Sequence, residues 1–154
     1  MDVEITEMLE QRVATVRHIG PYNQIPHAFG RLNSIATQTG LFHHPGAAMI
    51  AIYYDDPDTT PQDQLRSDAA IAIPKHVALP DGLDERRITA GRYARATHVG
   101  AYETLGDAWA RFLGEWLPAS SHRIGRGEMY EIYRNDPTKV ASNDLRTDLY
   151  ISLA

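Results

Sequence analysis

Cysteine is absent from this chain, which excludes disulfides, zinc–thiolate sites and thiol nucleophiles together. No stretch holds the roughly 20 apolar residues that a bilayer-spanning helix requires. The opening residues, Met-Asp-Val-Glu-Ile-Thr-Glu, are acidic and lack the apolar core of a secretory signal. A soluble, cytoplasmic protein with no membrane partner is expected. Clustered cations are missing as well. Fifteen Lys and Arg face twenty Asp and Glu, for a formal net charge of -5, and only Arg86 and Arg87 sit side by side. Phosphate backbones are bound by concentrated positive charge, so direct contact with nucleic acid is not expected. Nor does the chain carry HExxH, GxSxG, a phosphate-binding glycine loop or a nucleophile–base pair. No metal and no cofactor is implied. His43 and His44 are neighbours before Pro45 and would point apart, as surface-loop residues do.

What the chain does contain is a repeat. Its 154 residues are 43% hydrophobic, enough for one self-supporting domain or two small units sharing a core. Sliding the sequence by 80 aligns 12–74 with 92–154 without a gap. Identical pairs include Arg12/Arg92, His18/His98, Gly20/Gly100, Tyr22/Tyr102, Arg31/Arg111, Met49/Met129, Tyr53/Tyr133, Asp56/Asp136, Pro57/Pro137, Arg66/Arg146 and Asp68/Asp148. Duplication accounts for this pattern. His18 and His98 close equivalent strands, which favours a structural hydrogen bond over catalysis for both.

Each copy reads as strand, helix, strand, strand. "RVATVRHIG" and "RYARATHVG" alternate and stop at glycine, where a sharp turn is possible. Leu105, Ala108, Trp109, Phe112, Leu113 and Trp116 then follow helical spacing, and Pro118 is expected to end that helix. Ile25, Ala28, Phe29, Leu32 and Ile35 do the same in the first copy. Strands follow near 49–55 and 66–73, and near 129–135 and 146–153. The expected fold is α+β: two tandem β-α-β-β modules of SHS2 type with pseudo-twofold symmetry, whose antiparallel sheets form a central concave cleft. Module 1 is placed at about 1–73, the linker at 74–87 and module 2 at 88–154.

The copies disagree at one instructive position. "MIAIYY" (49–54) corresponds to "MYEIYR" (129–134), so Ala51 is replaced by Glu131. Side chains alternate along a strand. The face bearing Ile52 and Ile132 is expected to pack on the helices, leaving Met129, Glu131 and Tyr133 to look into the groove. A carboxylate there is costly to desolvate unless it is partnered. Burial disfavours its charged form. Among aromatic rings it suits a cationic or hydrogen-bond-donating ligand.

The stretches "HIGPY", "HVGAY", "IYYDDPDTTPQDQLRSD", "GRYARATHVG", "WARFLGEW" and "MYEIYRNDP" resemble the DNA gyrase inhibitor family, the GyrI-like small-molecule-binding proteins, whose fold recurs in effector-binding domains of multidrug-responsive transcription regulators. The likeness spans nearly the whole chain. It implies a cleft whose acid lies in an aromatic-x-acid-x-Tyr strand, which falls on Glu131, although Met129 stands where that pattern has an aromatic. It also implies cleft-lining aromatics around Trp109, Phe112, Trp116, Tyr133 and Tyr93, with Tyr53 contributing from the first half. No helix-turn-helix segment precedes the domain, so a complete regulator is not expected. For the Leu-Arg-x-Asp runs, Arg66 with Asp68 and Arg146 with Asp148 are expected to support their own strands.

Three functions compete at this stage. The first is a non-catalytic receptor for amphipathic or cationic small molecules, with DNA gyrase as a protein target implied by the resemblance alone. The second is a hydrolase of strained electrophiles, with Glu131 and Tyr133 as its acid–base groups. The third is a signalling partner that acts by protein contact.

Overall fold

The computed structural model describes residues 1–154. The chain runs β1 (Val3–Met8), β2 (Gln11–Ile19), α1 (Pro26–Thr39), β3 (Met49–Tyr53), β4 (Arg66–Ala72), β5 (Asp84–Ile88), β6 (Gly91–Val99), α2 (Leu105–Arg111), α3 (Leu117–Ala119), β7 (Met129–Tyr133) and β8 (Arg146–Ser152). The fold is α+β and its strands pair antiparallel. No helix is long and apolar enough to cross a membrane. Two compact units are present, Glu10–Thr89 and a second made of Met1–Leu9 with Ala90–Ala154.

That division differs from the expected modules at two places, for one reason. β1 does not stay with β2 but pairs with β6, Val3 opposite Ala96. β5 lies in the stretch assigned to the linker, yet pairs with β2, Gln11 opposite Ile88. Only two residues separate β1 from β2 and β5 from β6. A two-residue hairpin needs the positive-φ backbone that Gly, Asn or Asp supply, and Leu9-Glu10 and Thr89-Ala90 supply none. The chain therefore runs on into a different ladder instead of folding back. β1 and β5 are themselves related by the shift of 80, so the repeat includes an exchanged strand.

In the unit Glu10–Thr89 the strand order is β3-β4-β2-β5. Ala14 and Met49 flank Ile71 in register, and Ala28, Leu32 and Ala36 of α1 pack on that face. Pro26 occupies the first turn of α1, where a missing N–H costs nothing. Gly40, at φ 74°, closes the helix and donates its N–H to the Ala36 carbonyl.

The other unit orders its strands β1-β6-β8-β7. Ala94, Leu149 and Ile151 form the sheet side of its core, with Leu105, Ala108 and Phe112 opposite. Its helix is not uniform. Between α2 and α3, residues Phe112–Trp116 form a π turn in which the Leu117 N–H reaches the Phe112 carbonyl. The helix thus continues to Ala119 and is not stopped by Pro118, which sits in the first turn of α3, where a missing donor is tolerated.

The Leu-Arg-x-Asp runs follow expectation in one copy only. Arg66 reaches Asp55, not Asp68, at 2.8 Å, whereas Arg146 pairs with Asp148 at 4.0 Å as expected. The buried Asp68 is held by Arg17 at 2.7 Å, Arg86 at 2.9 Å and the Tyr54 hydroxyl at 2.6 Å. Its counterpart Asp148 takes Thr97 at 2.6 Å and Arg134 at 2.7 Å. Both copies bury the acid, and in each a neighbouring strand supplies the nearer arginine.

Candidate functional site

Register decides which face Glu131 shares. Glu131 lies opposite Leu149 and Tyr133 opposite Thr147. Leu149 belongs to the helix-side core, and Met129 and Tyr133 pack there with Trp109, Leu113, Trp116 and Tyr102. Glu131 therefore faces the helix, and the assignment of that side to Ile132 is reversed. Ile132 is opposite Asp148 and Tyr130 opposite Tyr150, on the other surface of the sheet. The strand is buried on both faces, with Tyr130 at 0%, Glu131 at 2% and Ile132 at 3% exposure. Apolar character alone could not choose between its sides.

The buried carboxylate is held by aromatic donors. Trp109 Nε1–H donates to Glu131 Oε2 at 3.0 Å, and the Tyr133 hydroxyl donates to Oε1 at 2.9 Å. Each oxygen accepts at least one bond, an arrangement that suits an ionised acid. α2 positions Trp109 one turn before Phe112, and the rings of Trp109, Phe112 and Trp116 follow one another at 6.0 and 5.5 Å between centroids. The π turn carries Trp116 into this row. Its indole also stacks on His122, with rings 13° from parallel and 6.0 Å apart. Tyr102 closes the other flank, its ring 5.3 Å from that of Tyr133. Burial, followed by the nearby charges of Asp136 and Glu131, pushes the Tyr102 hydroxyl above its ordinary pKa.

Five of the residues singled out from sequence thus share one neighbourhood: Glu131, Tyr133, Trp109, Phe112 and Trp116. Phe112 is fully buried and serves as the floor of that aromatic row. Tyr93 is placed elsewhere. It pairs with Ser152, on the sheet face away from Glu131, and makes edge contacts with Tyr130 and Tyr150 at 5.6 and 6.4 Å. Burial and the neighbouring Glu128 push its hydroxyl up to about 12. Tyr53 belongs to the unit Glu10–Thr89, where its ring lies 4.8 Å from that of Tyr22. Sequence reasoning passed over Tyr102 and His122. The first was legible as the partner of Tyr22 in the repeat, whereas the second depends on a loop without periodicity.

No group of three or more His, Asp or Glu is placed to hold a metal ion. The chemistry available is a desolvated, aromatic-bounded carboxylate, which can pair with positive charge through Coulomb and cation–π attraction together.

Comparison with known proteins gives the family and the fold. The GyrI-like small molecule binding domain matches residues 1–154. A protein named DNA gyrase inhibitor from Yersinia enterocolitica is 33% identical over 141 residues, covering 88% of this chain and 88% of its own length. Among solved structures, the EcmrR C-terminal domain superposes with a TM-score of 0.76 at 17% identity, over 99% of this chain and 97% of that one. SAV2435, solved with tetraphenylphosphonium bound, gives a TM-score of 0.68 at 10% identity, over 100% and 94% of the two chains.

Proposed function

The chain belongs to the GyrI-like small-molecule-binding family, and from that premise we propose that it captures amphipathic organic cations, with Glu131 as the charge partner and Trp109, Trp116 and Tyr133 as aromatic walls. The observation that carries this reading is a carboxylate only 2% exposed whose two oxygens are both oriented by aromatic N–H and O–H groups. A carboxylate buried among aromatic rings is an expensive feature to keep for stability alone. A ligand cation would provide the opposite charge, and the flanking rings would cover its apolar substituents.

A thermal-shift series tests the reading. Cationic aromatic compounds, among them tetraphenylphosphonium, should raise the melting temperature in a concentration-dependent manner. Neutral and anionic compounds of matched size should leave it unmoved. Equal shifts for all three charge classes would remove Glu131 from the account.

For the physiological role, we infer DNA gyrase as a protein target, supported by the relatives that carry that name. Nothing in the charge pattern demands it independently. A supercoiling assay with purified gyrase should show inhibition that grows with added protein. Full activity at saturating excess would refute the gyrase role and leave ligand capture standing.

A further inference from the structure

We propose that Tyr102 sets which cations the Glu131 site accepts: its hydroxyl donates a hydrogen bond to the ligand, so cations bearing a carbonyl oxygen are favoured over all-hydrocarbon cations of the same shape. The inference rests on the reading of Glu131 as a cation partner and adds a second, neutral recognition element to it.

The two copies of the repeat act as each other's control. Both keep a tyrosine pair at the same place, Tyr22 with Tyr53 at 4.8 Å and Tyr102 with Tyr133 at 5.3 Å. In the first copy the hydroxyl is committed to the backbone. Tyr22 donates to the Asp55 carbonyl at 2.6 Å and accepts the Asp55 N–H at 3.0 Å. In the second copy Asn135 replaces Asp55, and its side chain spans the Asp144 carbonyl and the Arg146 N–H, each at 2.9 Å. The ring of Tyr102 stays in place, packed on the helix-side core beside Trp109 and Tyr133, but its hydroxyl makes no hydrogen bond to protein.

The neighbouring polar groups are already engaged. Trp109 Nε1–H and the Tyr133 hydroxyl both serve Glu131. Tyr102 thus offers the uncommitted donor on this wall. Its hydroxyl is half-buried, and burial together with Asp136 and Glu131 keeps it protonated, so it acts as a donor across the physiological range. Hydrocarbon laid over such a hydroxyl strips away its water and returns nothing, which is unfavourable. An acceptor on the ligand removes that cost.

The test compares two probes that differ in one group, (4-acetylphenyl)triphenylphosphonium and its 4-isopropylphenyl isostere, by titration calorimetry on the full chain. The ratio of the two dissociation constants is measured for the wild type, Tyr102→Phe and Glu131→Gln. Tyr102→Phe should move that ratio toward the hydrocarbon probe by about five- to tenfold, the factor that one neutral hydrogen bond carries. An unchanged ratio, with both cations still bound in a Glu131-dependent way, would overturn the role of Tyr102 and spare the cation site. Failure of both probes to bind the wild type would overturn the cation site and this inference together. Stability supplies an independent check. Tyr102→Phe should leave the melting temperature unchanged while Tyr22→Phe lowers it, and a large drop in Tyr102→Phe would mean that its hydroxyl serves the fold.

Discussion

Tyr133→Phe separates stability from binding at the site. The substitution keeps the ring and its 5.3 Å contact with Tyr102 but deletes the 2.9 Å bond to Glu131 Oε1. Hydrogen bonds to a charged group contribute about 1.5–3 kcal/mol, and Glu131 is buried, so water cannot readily take over. A loss near 2 kcal/mol is expected, or a fall in melting temperature of about 4–8 °C for a chain of this size. Cation affinity should move the opposite way, because the freed lone pair on Oε1 becomes available to the ligand. In a Glu131→Gln background the acceptor is neutral, and the same change should cost only about 1 kcal/mol. Urea unfolding of the four proteins forms a double-mutant cycle with a coupling of roughly 1 kcal/mol. Strict additivity, or a Tyr133→Phe protein as stable as wild type, would show that the bond does not hold the acid in solution.

Other predictions concern the frame of the fold. Arg17 and Arg86 both neutralise buried Asp68, so Arg17→Met or Arg86→Met alone should cost about 1 kcal/mol, while the double variant leaves the acid unpaired and should lose more than about 3 kcal/mol; additive losses in urea unfolding would contradict this. Burial pushes the Asp148 carboxyl up, but bonds from Thr97 and Arg134 outweigh it and hold the group below its ordinary value. Its stabilisation is therefore complete above the unfolded-state pKa of about 4 and is lost as pH falls through the lower folded value. Arg134→Met should shift the acid-unfolding midpoint, followed by tryptophan fluorescence, to higher pH, and an unmoved midpoint would deny Asp148 that role. A Cβ on Gly125 would lie 2.5 Å from the Leu153 carbonyl oxygen, whereas one on Gly30 in α1 meets nothing within 4 Å. Gly125→Ala should destabilise by roughly 1–3 kcal/mol and Gly30→Ala should stabilise by about 0.5–1 kcal/mol, both read from urea midpoints.

The repeat made much of this fold legible. Alternation in "RVATVRHIG" and "RYARATHVG" and the Asp-Pro loops placed six of the eight strands to within a residue or two, because each signal is local. The exchange of β1 and β5 was not legible in the same way. It follows from a missing turn signal at Leu9-Glu10 and Thr89-Ala90, and an absence is easily passed over. Glu131 stood out because Ala51 is its counterpart, yet its face was misassigned. Hydrophobicity points inward only where one side of a strand meets water, and β7 has no such side. What settles the matter is the register that sets Glu131 opposite Leu149 of the helix-side core, which no periodicity encodes. The π turn at Phe112–Trp116 left no trace either, since it changes the pitch of the helix without changing which residue types line it.

Titration calorimetry with tetraphenylphosphonium, on wild type and Glu131→Gln side by side, tests the cation site most directly. Saturable binding by the wild type, weakened at least tenfold in a Glu131→Gln protein that keeps its far-ultraviolet circular dichroism, is the expected result. Equal affinity in the two proteins would show that the buried carboxylate does not recognise the charge.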